Sequence, residues 1–257
     1  MRYADLHKQG IARTFGRAAA GYDRHAAFQR ASGDQLAALL AASAGPLQGK
    51  VLLDAGCGTG WFSRYWQRCG NRVIALDLSP AMLAEARRRE SASVYLAGDI
   101  EGLPLADCSL DICFSNLAVQ WCDALPRALA EFYRVTRPGG MIAFSTLAEG
   151  SLGELTRAWR QVDSAVHANR FMSAAAIAQA MQPYRHQLHT VPHRLYYPGL
   201  VPLLRDIKGV GAGYLRDGRP LGLAGSQRIR RLEAVWERHS AGLPLTYQLI
   251  HGLIYRD

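Results

Sequence analysis

A chain of 257 residues is long enough to bury a full core, and 49% hydrophobic with 20% charged residues is an ordinary globular composition. No apolar run reaches the length of a membrane span, and charges scattered through the first 25 residues exclude a signal-peptide pattern, so the chain is expected in the cytoplasm with no membrane partner. The formal charge of +9 favours an acidic partner, but the absence of a basic tail or an aromatic-interleaved module argues against nucleic acid. The five cysteines, Cys57, Cys69, Cys108, Cys113 and Cys122, lack metal-ligand spacing, so free thiols are expected and no metal site.

In chain order, residues 4–43 are predicted helical, with a break near Gly21. From Lys50 the pattern alternates. KVLLDAG reads as a buried parallel strand, residues 61–69 as a helix, and RVIALDLS from Arg72 as the second strand. Ser79 is placed to cap the next helix, with Pro80 at its first position. SVYLAGD and SLDICFSN are strands three and four. Residues 125–135 are helical, RPGG (137–140) ends that helix, and GMIAFSTL is the fifth strand. Beyond it, residues 151–182 read as helical, 185–197 as a strand, 202–210 and 227–239 as short helices, and LPLTYQLIHGLIYR as a last strand. Alternation of strand and helix at this pace predicts right-handed crossovers and a mainly parallel sheet covered on both faces. No repeat or linker interrupts the chain, so a single domain over 1–257 is expected.

The glycine-rich run DAGCGTG (54–60) follows the first strand, where open parallel sheets bind ligands. Glycine lets a ligand lie against bare backbone, and the helix behind offers free N–H groups. The spacing D-x-G-x-G-x-G departs from the dinucleotide fingerprint. Asp54 would repel a pyrophosphate and suits a ligand carrying an amino or sulfonium cation, which points away from NAD.

Residues 50–146 resemble class I S-adenosylmethionine-dependent methyltransferases. The pieces are DAGCGTG, ALDLS with Asp77 ending the second strand, AGDIEGLP with Asp99 after the third, SNLAVQW (115–121) and RVTRPGG. The resemblance implies a Rossmann-like α/β fold with a mostly parallel seven-stranded sheet and an N-terminal helical lid. Its implied cofactor set is Asp54, Gly56, Cys57, Gly58, Gly60, Asp77, Leu78, Met82, Asp99, Ile100 and Asn116. Asp77 would accept both ribose hydroxyls, Asp99 the adenine amino group, and Leu78 and Met82 would flank the purine. Residues 1–49 would be the lid, 50–146 the cofactor-binding half and 147–257 the substrate-side half.

FGRAAAGYDRHAAFQR (15–30), NLAVQWC (116–122), HANRF (167–171), IKGVGA (207–212) and PLTYQL extend the likeness almost end to end. With these the chain resembles the malonyl-[acyl-carrier protein] O-methyltransferase family of biotin synthesis. That likeness implies methyl transfer to the free carboxylate of malonyl-acyl carrier protein, an acidic partner that gives the positive charge a use. A carboxyl with an ordinary pKa of about 4 is ionised at neutral pH, so no catalytic base is required. Candidate substrate-side residues are Arg170 to hold the carboxylate, Lys208 for the malonyl group or the carrier's phosphopantetheine, Tyr22 to close over the cofactor, Phe171 to exclude water and Trp121 to shape the pocket. Each also has a plainer reading, as exposed charge or as core packing. A methyltransferase of the same fold acting on a hydroxyl or a quinone-like ring, and a cofactor-binding module without catalysis, stay open as alternatives.

Overall fold

The computed structural model describes residues 3–210, 214–215 and 226–257. Gly211 and Ala212, the end of the IKGVGA segment, lie outside the described residues, as do Met1 and Arg2. Seven strands form one sheet: β1 (Val51–Ala55), β2 (Arg72–Asp77), β3 (Val94–Ala97), β4 (Leu110–Ser115), β5 (Thr136–Ala148), β6 (Arg185–Tyr197) and β7 (Leu243–Tyr255), in the order β3-β2-β1-β4-β5-β7-β6. The first five are mutually parallel, whereas β7 runs antiparallel to both β5 and β6. The order reverses between β1 and β4, and that is where a crevice opens at the strand ends.

Successive residues of the central strands feed opposite faces. Leu52, Phe114, Ala143 and Leu253 pack with α3 (Ala27–Ala44), α4 (Trp61–Arg68) and α5 (Pro80–Arg88) on one side. Leu53, Cys113, Ile142 and Ile254 pack with α6 (Leu125–Val135) and α8 (Ala174–Met181) on the other. Both faces are covered, which is why these strands read as unbroken apolar runs. A third core gathers α7 (Gly153–Arg160), α9 (Leu200–Gly209), α10 (Ser226–Val235) and the start of β7. The N-terminal helix α1 (Tyr3–Ala18) is followed by a 3-10 turn at Ala19–Gly21 and a single turn, α2 (Tyr22–His25), so the chain breaks where Gly21 predicts it.

Three expectations are corrected. Residues 161–173 are not helical: α7 stops at Arg160, and the Asp163 carboxylate accepts the Ala165 N–H (2.9 Å), a local bond that competes with helix. Helix resumes only where Ser173 caps α8, accepting from Ala176 N–H (3.1 Å). β5 begins at Thr136, ahead of RPGG, because Thr136 already pairs with Leu110 and the register shift before Ile112 absorbs the Pro-Gly-Gly segment. α10 ends at Val235, short of His239.

Candidate active site

The glycine loop is shaped by the strand beside it. Gly56 and Cys57 donate N–H bonds to the Leu76 carbonyl (2.7 and 2.9 Å), and Gly58 N–H donates to Asp77 Oδ2 (2.8 Å). The other oxygen of Asp77 accepts from Ser79 N–H (2.8 Å) at the start of α5. One carboxylate thus ties loop to helix and keeps lone pairs over for a ligand. Burial pushes Asp77 up, while the Ser79 and Gly58 N–H groups pull it down; the net shift is upward. Gly56 has φ +76°, and a Cβ there would stand 2.3 Å from the Ala118 side chain, so only glycine fits between β1 and the segment after β4.

A crevice of about 660 Å³, counted with the solvent at its open side, lies over this loop. Of the sequence-predicted cofactor set it gathers Gly56, Gly58, Asp77, Leu78, Met82, Asp99, Ile100 and Asn116. Asn116 is fixed on three sides: Oδ1 accepts from Ser32 (2.9 Å) and Ser145 (2.8 Å) hydroxyls, and Nδ2 donates to the Gln29 carbonyl (2.9 Å). Asp54 and Cys57 are displaced from that group. They line an adjoining recess with Asp23, Arg30 and Trp61. Asp54 is 2% exposed, accepts from the Ser63 hydroxyl (2.6 Å), and is raised to about 7 by burial and by nearby Asp77, with the Ser63 bond opposing. Burial likewise pushes the Cys57 thiol well up. Gly60 lines neither space. Its φ is +79° and an added Cβ would meet Ser91 Oγ at 2.1 Å, so this third glycine serves helix packing.

Two groups that sequence reasoning missed complete the crevice. Lys8 of α1 pairs with Asp99 (3.1 Å) and with Glu101. Burial would lower Lys8, but its bond to Glu101 and the surrounding negative charge raise it overall. Phe15 packs edge-on against Trp121, ring centroids 5.2 Å apart. Lys8, Ile11 and Phe15 are spaced three and four apart on one helix and all line the crevice; that periodicity is the signal that could have found them.

Phe15, Tyr22, Leu117 and Trp121 also line a second cavity of about 710 Å³, which extends under α7 and α9. Tyr22 borders crevice, recess and second cavity alike, and burial, Asp77 and Asp23 raise its phenol. Phe171 lines the second cavity as expected. Arg170 and Lys208 do not: both are exposed, each beside lining residues, Asn169 and Phe171 for one, Ile207 and Val210 for the other. The break in helix at 161–173 leaves Arg170 in an exposed loop.

The geometry therefore offers a carboxylate with spare acceptor sites, bare loop backbone, an apolar slot and the buried carboxyl of Asp54, suited to a cation-bearing ligand, with a second chamber across a shared, largely aromatic wall. Residues 53–144 match the family model described as a methyltransferase domain. Among solved structures, a SAM-dependent methyltransferase of Thermotoga maritima superposes with a TM-score of 0.55 at 19% identity, covering 96% of this chain and 100% of that one. Fold and site together define a methyltransferase. Two curated relatives are nearer. The malonyl-[acyl-carrier protein] O-methyltransferase of Pectobacterium atrosepticum is 54% identical over 98% of each chain, and that of Yersinia pestis 51% over 98% of this chain and 93% of its own. The chain belongs to the malonyl-[acyl-carrier protein] O-methyltransferase family.

Proposed function

We propose that this chain transfers a methyl group from S-adenosylmethionine to the free carboxylate of malonyl-acyl carrier protein, working in the cytoplasm as a single domain. Residues 50–146 hold the cofactor, 1–49 cover it and 147–257 form the acceptor side. The observation that carries the reading is the shared wall: Phe15, Tyr22, Leu117 and Trp121 face the cofactor crevice on one side and the second cavity on the other. A donor and an acceptor bound in the two spaces meet there.

When bound, S-adenosylmethionine supplies a methyl group on a sulfonium; a carboxylate that takes it becomes an ester and leaves a neutral thioether. Asp77 holds the ribose hydroxyls, Leu78, Met82 and Ile100 enclose the purine, and Asp54 in the recess balances the ligand's positive charge. The aromatic wall excludes water and fixes the approach. Holding two reactants in one geometry contributes about 7–11 kcal/mol in favourable cases. The acceptor is already ionised, so no side chain has to take a proton. Arg170 and Lys208, exposed and next to residues that line the acceptor cavity, meet the acidic carrier rather than the malonyl carboxylate.

A methyl-transfer assay with labelled donor and malonyl, succinyl and acetyl carriers tests this. Label should enter the malonyl carrier as a base-labile ester and leave the acetyl carrier blank. Transfer to a hydroxyl or quinone-like ring with none to malonyl carrier would replace the reading with the same fold acting on another acceptor.

A further inference from the structure

Among the described residues, the charged side chains lining the cofactor crevice are Lys8, Asp77 and Asp99. Leu78, Met82 and Ile100 supply its apolar slot, and Asp99 directly precedes Ile100. Asp99 accepts two bonds on one oxygen: Oδ1 takes the Lys8 ammonium (3.1 Å) and the Glu101 N–H (3.0 Å). Oδ2 keeps its lone pairs for a ligand, and the side chain is 36% exposed. Lys8 is 14% exposed and is held in turn by Glu101, which is nearly buried. Glu101 is itself fixed to backbone, accepting from the Asp123 and Ala124 N–H groups (2.8 Å each). A chain of contacts thus runs from the segment before α6 through Glu101 and Lys8 to one oxygen of Asp99.

A carboxylate only accepts hydrogen bonds, and left to itself it turns to present either oxygen. With Oδ1 engaged by a braced cation, Oδ2 has one direction. The base of S-adenosylmethionine carries a single exocyclic amino group, a donor that such an oxygen can receive. A 6-oxopurine puts an acceptor in the same place, against a carboxylate that has no proton to give. A site built around one hydrogen bond rejects the analogue that cannot make it far better than an apolar slot rejects a change of shape.

We propose that Lys8 is a positioning residue for the cofactor's base: by holding Oδ1 it sets Asp99 Oδ2 to receive the 6-amino group, and so makes the crevice select a 6-aminopurine over a 6-oxopurine. This rests on the reading of S-adenosylmethionine as the cofactor and is independent of the methyl acceptor. Because Lys8 belongs to α1, the helix that covers the crevice also takes part in choosing what lies beneath it.

The test is calorimetry with two ligands, S-adenosylhomocysteine and S-inosylhomocysteine, the same thioether with oxygen in place of the 6-amino group. Wild type should prefer the amino ligand by about 10- to 100-fold, as for one hydrogen bond to a charged group. In Lys8→Met that ratio should shrink toward parity, through a larger loss for S-adenosylhomocysteine than for S-inosylhomocysteine. Lys8→Arg, which keeps a cation beside Asp99, should retain most of the ratio. If the single change costs folding by leaving Glu101 unbalanced, Lys8→Met with Glu101→Gln removes both charges and the same ratio is read. Equal weakening toward both ligands would make Lys8 a tether for α1 and nothing more, and unchanged affinities would remove it from the site. A wild type indifferent to the amino group would likewise overturn the assignment while the cofactor reading stands. A wild type that binds neither ligand overturns both.

Discussion

Each oxygen of Asp77 already receives a backbone N–H, so its carboxylate organises the glycine loop before any ligand arrives. Asp77→Ala should cost the ribose bonds, about 1.5–3 kcal/mol for each hydrogen bond to a charged group, and also loosen the turn at Gly58. Calorimetry should show S-adenosylmethionine affinity falling by at least tenfold, about 1.4 kcal/mol; unchanged affinity would take Asp77 out of the site. Asp54 gives a pH signature. Its carboxyl is raised from 3.8 to about 7, so the neutral form prevails only below about pH 7. Stability contributed by that neutral form is complete below about pH 3.8 and is lost as pH rises to about 7. A cationic ligand reverses the preference: binding below pH 7 should expel a proton, and affinity should climb toward about pH 7 and then level. Calorimetry in two buffers of different ionisation enthalpy reads the proton count, and Asp54→Asn should abolish it. The sequence groups Asp54, Cys57 and Gly60 with Gly56 and Gly58, because glycine spacing reports backbone conformation and not what presses against it. Packing then sorts them: Gly60 against Ser91, Asp54 and Cys57 into the recess. Lys8 escapes notice because a lysine on a helix reads as solvated; burial of its partner Glu101 is visible only in three dimensions.

The N-terminal helices show what holds an added layer to a sheet. α1 is fastened through Lys8 to the β3 side of the crevice and through the His7–Tyr214 contact (2.8 Å), and Thr59 of the glycine loop donates to Asp23 of α2 (2.6 Å). Apolar packing adds to them, with Ile11 buried and Phe15 against Trp121, as do the ion pairs Asp23–Arg89 and His25–Asp206, so opening the layer would have to break all of these. Hydrogen exchange should slow across residues 15–25 when S-adenosylhomocysteine binds, and Lys8→Met should quicken exchange in α1 without ligand. Equal protection with and without ligand, together with full activity of a chain shortened to Asp23, would make the layer rigid cover instead of a lid. The parallel half is legible as elements because both faces of its strands are buried, and so is the final pair of strands. The stretch 161–173 is not. Ala165, Ala168, Arg170 and Met172 there favour helix, but the Asp163 bond to Ala165 and the seating of His167 on Trp159 win over propensity.

Across the whole molecule, an excess of nine positive charges meets a carrier expected to be acidic. Such attraction acts mainly on encounter and is screened at the ~8 Å Debye length of physiological salt. Raising ionic strength should raise KM for malonyl carrier and leave S-adenosylmethionine affinity nearly unchanged. Arg170→Glu with Lys208→Glu should do the same at constant salt, while a small malonyl thioester lacking the carrier should be insensitive to both changes. A carrier KM indifferent to salt and to the double variant would place docking elsewhere. The strand order β5-β7-β6 carries a consequence for the making of the protein. β7 is the last strand translated, yet it lies between two strands made earlier, and among the described residues β6 pairs with no other strand. On the ribosome β6 therefore waits, unpaired, while the intervening stretch up to Gly242 is added, a delay of seconds at ~5–20 residues per second. During that interval the sheet has an open, apolar β5 edge, the kind of template that recruits neighbouring chains. A nascent chain stalled ahead of Leu243 is thus a sticky species, and speed of elongation through this region becomes a determinant of how much protein a cell recovers.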